Sequence, residues 1–204
     1  MFGATIVAGL GVIVTLSLWW LGFPSTPEPH ADGAGPLASL NEGGGQKVAV
    51  NPAFSHATAW TYGMRLCMAS GADLPVLDSV SPAKSVGTGY QFLGAAVREF
   101  VPNANHTLIY SVDNYPPPQS MVPDTLHNVQ GYTVTTRCSL DPTAPYTELL
   151  IGLALVNGDG GGWQGVDVHY TVGGRSRILA IDFGVLICGR AVPSCVPPGG
   201  SPSP

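Results

Sequence analysis

The chain has 204 residues, and charged side chains make up only 10% of them, well under the roughly 25% of ordinary soluble domains. Its net charge is −5, its lysines are only Lys47 and Lys84, and no basic run exists. That excludes a surface built to hold nucleic acid phosphates. The 27 glycines and 19 prolines fall between apolar runs rather than in a repeat, a distribution that predicts many short strands joined by turns.

The first element is ATIVAGLGVIVTLSLWWLGF, Ala4 to Phe23, twenty residues without a charge. At 1.5 Å per residue it reaches about 30 Å, the thickness of a bilayer core. Trp19 and Trp20 near its end suit the headgroup region. A cleaved signal peptide competes with this reading, but the apolar stretch is long and no small-x-small cleavage site follows promptly. Residues 1–23 therefore read as a transmembrane anchor whose partner is membrane lipid through residues 4–23. Only three residues precede the span, so the folded domain must follow it, and cysteine usage puts that domain outside the cell.

Residues 24–58 read as a stalk. PSTPEPHADGAGPLASLNEGGGQ, from Pro24 to Gln46, has no hydrophobic periodicity and the composition of a tether. Residues 197–204 read as a disordered tail.

Residues 59–196 form the expected domain. The period-two runs are WTYGMRLCMA, LPVLDSV, GYQFLGAAVREFV, HTLIYSV, GYTVTTRC, YTELLIGLALV, GVDVHYTV and RILAIDFGVLIC. Turn-forming residues bound each run. GYQFLGAAVREF has the length of a short helix, but its glycines and aromatics favour strand. The pattern predicts an all-β fold, an immunoglobulin-like antiparallel sandwich of about 7–8 strands.

A two-residue loop at Gly173–Gly174 sets the register of the hairpin GVDVHYTV-GG-RSRILAI: Val172 faces Arg175, Val168 faces Leu179, and Val166 faces Ile181. One face collects Val166, Val168, Tyr170, Leu179, Ile181, Phe183, Val185 and Ile187. The other collects Asp167, His169, Thr171, Ser176, Ile178, Ala180 and Asp182. Ser176 is then diagonal to His169, with Asp167 two residues before it, neighbours roughly 7 Å apart at Cβ. A Ser-His-Asp triad also needs oxyanion donors and a water-excluding pocket, and no GxSxG elbow occurs. The solvated face of a hairpin is the expected role, and no catalytic, cofactor or metal site is assigned.

Cys67, Cys138, Cys188 and Cys195 make an even count, which predicts two disulfides in an extracytoplasmic chain. Alternating strand direction puts Cys67 and Cys138 at one pole and Cys188 and Cys195 at the other, favouring those pairs over the other two connectivities. His30, His56, His106, His127 and His169 show no metal-binding spacing. Met64 and Met68 around Cys67 offer soft sulfur for copper, but strand residues alternating toward a core are the expected role. NGDGGG at 157–162 has one carboxylate, too few for calcium, and reads as a hairpin connection. Asn105-His106-Thr107 fits a glycosylation sequon. The segment 113–124, DNYPPPQSMVPD, is a long proline-stiffened loop; Tyr115, Pro116, Pro117, Pro118 and Met121 are its candidate interaction residues.

The anchor and stalk followed by LPVLDSVSP, YTVTTRC and VHYTVGGR…FGVLIC resemble uncharacterised membrane-anchored envelope proteins of high-GC Gram-positive bacteria, over roughly residues 60–190. The resemblance implies an extracytoplasmic sandwich and carries no site residue. The expected function is a non-catalytic, membrane-tethered extracytoplasmic binding or structural module. An accessory single-pass subunit of a larger membrane complex is the alternative, since Ala4, Ala8, Gly9 and Gly11 permit close helix approach. An envelope hydrolase or a copper-binding protein ranks behind both.

Overall fold

The computed structural model describes residues 35–40, 46–53, 55–69, 73–102, 111–122, 125–141 and 143–193. The expected anchor 1–23, the tail 197–204, and His30, Asn105, His106 and Cys195 lie outside them. Among the described residues no helix is long and apolar enough to cross a membrane.

The described chain is all strand and loop. Its strands are β1 Leu37–Ser39, β2 Gln46–Val50, β3 Ala59–Met68, β4 Val76–Ala83, β5 Val86–Gly87, β6 Tyr90–Phe100 and β7 Val112–Asp113. There follow β8 His127–Asn128, β9 Tyr146–Leu155, β10 Gly161–Trp163, β11 Gly165–Val172, β12 Arg175–Ile181 and β13 Phe183–Ile187. Six form one sheet in the order β1-β3-β9-β6-β8, with β7 also on β3; four form a second, β2-β13-β10-β5; three form a third, β12-β11-β4. All pairs are antiparallel except β2 on β13.

Alternation decides which way each strand faces. Trp60, Tyr62, Met64 and Leu66 of β3 and Leu149, Ile151 and Leu153 of β9 point from the large sheet into the core. Facing them from the smaller sheets are Trp163, Val166, Val168, Tyr170, Leu179, Ile181, Phe183, Val185 and Ile187. The expected apolar face of the hairpin is thus buried, and its register is the expected one: Val166↔Ile181, Val168↔Leu179 and Val172↔Arg175. Gly173 and Gly174 take φ of 55° and 71°, the left-handed pair that a tight hairpin turn demands.

Several expectations are corrected. Among the described residues, thirteen strands in three sheets stand where seven or eight were expected. The expected stalk 24–58 is shorter, because β1 and β2 lie within it and Leu37 to Leu40 are buried. Such short segments have no period to read; the edges of β3 and β13 hold them in place. RILAIDFGVLIC breaks at Asp182, so that β12 and β13 belong to different sheets. GYTVTTRC is extended but makes only isolated bridges, Val76↔Thr133 and Met68↔Arg137. The loop 157–162 carries the chain from β9 in one sheet to β10 in another, so it is a corner and not a hairpin.

Cys67 and Cys138 are bonded, with Cα atoms 4.9 Å apart. Both cysteines lie where segments of the same direction end at one pole, as the alternation argument expects. The 136–138 segment runs parallel to the end of β3, joined by Met68 N to Thr136 O and Cys138 N to Met68 O. A closed loop of 71 residues contributes about 4 kcal/mol by chain entropy. Cys188 is also disulfide-bonded.

Candidate functional site

The large sheet has a second face, opposite the core, and the chain covers part of it with a strap. The strap is the proline-stiffened loop. Its Val122 buries against Leu150 of β9, with half-buried Val112 and Leu126 beside them. Asn114, at φ 77°, donates its N–H to the Ala59 carbonyl and accepts from the Thr61 hydroxyl. The Tyr115 ring lies directly on Gly152, in the space a Cβ there would take. Burial pushes the Tyr115 phenol above its ordinary range. Pro117 is buried and Pro118 half-buried, whereas Pro116 is exposed and Met121 is 49% exposed. The five candidate interaction residues therefore divide: Tyr115, Pro117 and Pro118 anchor the strap, and Pro116 and Met121 face solvent.

Below the strap, three charges stand in one row across three strands. Glu148 of β9 is in register with Arg65 of β3 on one side and with Arg98 of β6 on the other. The Arg98 Nε donates to Glu148 Oε2 at 2.5 Å, and both side chains are wholly buried. Arg65 lies over the Tyr146 ring at 5.5 Å and Arg98 over Phe100 at 4.7 Å, attractions to the negative ring faces. Tyr146 and Phe100 are themselves 4.9 Å apart. This row is missing from the sequence expectations. Its signal is a single Glu within the apolar run YTELLIGLALV; an acid there is buried and needs a cation partner.

Beside the row is a cavity of ≈ 10 Å³, lined by Leu40, Arg65, Arg137, Asp141 and Tyr146 among others. That is room for about one water. The Asp141 carboxylate is already engaged: it accepts from the Thr143 N–H at 2.8 Å and hydroxyl at 2.7 Å, which hold its pKa below the usual value.

The other candidates stay apart. Asp167 and His169 are half-buried and Ser176 is exposed. Ser176 is in register with Thr171, and His169 with Ile178; the Thr171 hydroxyl donates to Asp78 at 2.9 Å. Met64 and Met68 are buried on the core side, while the Cys67 sulfur is in its disulfide. His56 is exposed, and the exposed His127 packs its ring 5.6 Å from Tyr132. Asp159 of the 157–162 corner pairs with Arg190, Nε to Oδ1 2.7 Å, so its carboxylate ties two loops together. Among the described residues no group of three His, Cys, Asp or Glu side chains converges as a metal site.

No protein-family model matches the chain, and no curated protein sequence matches it.

Proposed function

We propose that the chain is a membrane-tethered extracytoplasmic module of immunoglobulin-like sandwich type, acting by binding or structural association rather than by catalysis. The observation that carries this reading is the Cys67–Cys138 disulfide, with Cys67 buried and Cys138 half-buried. Such a bond persists in oxidising compartments and is rare where thiols are kept reduced. The uncharged segment Ala4–Phe23 supplies the tether, and its lipid neighbours are the first partner. The likeness to envelope proteins of high-GC Gram-positive bacteria agrees with that placement. For a protein partner, Pro116 and Met121 present a rigid exposed surface on the strap.

The test is made in intact cells. The full chain is expected to stay with membranes through a high-salt wash and to be digested by protease added outside. A shortened, soluble product would mean that the apolar segment is a cleaved signal. Protection from the protease would place the domain inside and end the extracytoplasmic reading.

A further inference from the structure

The described chain begins at Gly35, and its position gives the domain a top and a bottom. Gly35 packs against the Tyr170 hydroxyl, and a Cβ there would meet the Arg177 side chain at 2.9 Å. Pro36 accepts a hydrogen bond from Ala69 N, just past the end of β3. Register relations collect other segments at this same pole. β4 and β11 meet there through Val76↔Thr171, and the Gly173–Gly174 turn follows. β6 ends and β9 begins there through Phe100↔Tyr146, and Arg137 bridges Met68.

Three of the large exposed apolar side chains flank these segments: Leu74 at 44%, Val101 at 50% and Leu140 at 63% exposure. Arg137 and Arg175 are exposed among them. With Arg65 and Arg177 they match the described acids of the same pole, Asp73, Asp78, Glu99 and Asp141, so among the described residues the pole balances in a chain of net charge −5. Apolar side chains mixed with guanidinium groups and without net negative charge fit the phospholipid headgroup region.

We propose that this pole rests on the bilayer surface, with Leu74, Val101 and Leu140 in the headgroup layer and Arg137 and Arg175 among the phosphates. The proposal rests on the membrane-tethered reading. Residues 24–34 separate the expected span from Gly35; eleven residues reach at most about 40 Å. The ten residues of β3 span about 33 Å, so turning the opposite pole, with exposed Val156, onto the bilayer would demand a nearly fully extended tether, whereas resting this pole on it demands none.

The test uses the full chain reconstituted in phosphatidylcholine and phosphatidylglycerol vesicles. Leu74, Leu140 and Val156 are replaced, one at a time, by an environment-sensitive fluorescent amino acid. Headgroup nitroxide lipids are expected to quench the probes at 74 and 140 several-fold more than the probe at 156. A chain that fails to float with vesicles after a salt wash overturns the tether and the proposal together. A chain that floats while all three probes respond equally overturns the orientation alone. Probes at 74 and 140 that respond only as protein density rises point to a second copy, and the proposal falls.

Discussion

Arg98 and Glu148 illustrate what a buried charge costs. Each must be stripped of water, and their attraction offsets that cost only while both are present. Arg98→Met is expected to destabilise the domain by about 3–5 kcal/mol. The double variant Arg98→Met, Glu148→Leu is expected to recover most of that loss, read by denaturant unfolding. A double variant as unstable as the single would show that the pair is net stabilising. Tyr62, wholly buried on the core side of β3, is a second residue with a measurable signature. Burial, reinforced by Asp113 and opposed by Ser111, pushes its phenol from 10.0 up to about 12. The unfolded chain therefore releases this proton first. Stability should hold below pH 10 and fall from there to about pH 12, by up to about 1.4 kcal/mol per pH unit from this group. Tyr115, Tyr132 and Tyr170 are shifted in the same direction by burial. Unfolding curves across that window should flatten for Tyr62→Phe relative to the parent.

At the scale of elements, the strap over the large sheet depends on Gly152. A methyl group at that position meets the Tyr115 ring, and overpacking of this kind costs typically about 1–3 kcal/mol. Gly152→Ala should loosen the strap, seen as faster proteolysis near Met121. Adding Tyr115→Ala should restore part of the stability, because the two residues share one space and their effects are not additive. Purely additive losses would mean that the ring does not rest on the sheet. Elements also divide by how much of them was legible. The hairpin 165–181 could be read to the residue, since two glycines and matched alternation permit one register. β6 and β9 could be read as strands for the same reason. β1 and β2 could not: three and five residues carry too little pattern, and the edges they complete are tertiary features. The break at Asp182 was hidden because the side-chain alternation continues across it. The Arg65–Glu148–Arg98 row needed the strand order, which periodicity does not contain.

At the scale of the molecule, the two layers are closed by strands from the two ends of the described chain. β2 at Gln46–Val50 lies parallel to β13 at Phe183–Ile187, and β10 joins the same sheet through β13. A chain truncated after Asp182 removes the partner of β2 and one of the two partners of β10. It should fail to give a cooperative unfolding transition, whereas removal of residues 197–204 should leave the transition unchanged. A cooperative transition in the shorter chain would show that the large sheet and the β11–β12 hairpin suffice as a folding unit.

The pairing of β2 with β13 also sets an order of events during synthesis. A ribosome delivers β2 long before β13 exists, so β2 must wait, extended and unpaired, while more than 130 residues follow it. Non-local closure of this kind is slow, and exposed strand edges aggregate while they wait. Under the proposed extracytoplasmic placement, β13 would be the last strand of this sheet to cross the membrane, so the sheet would close only after it had crossed.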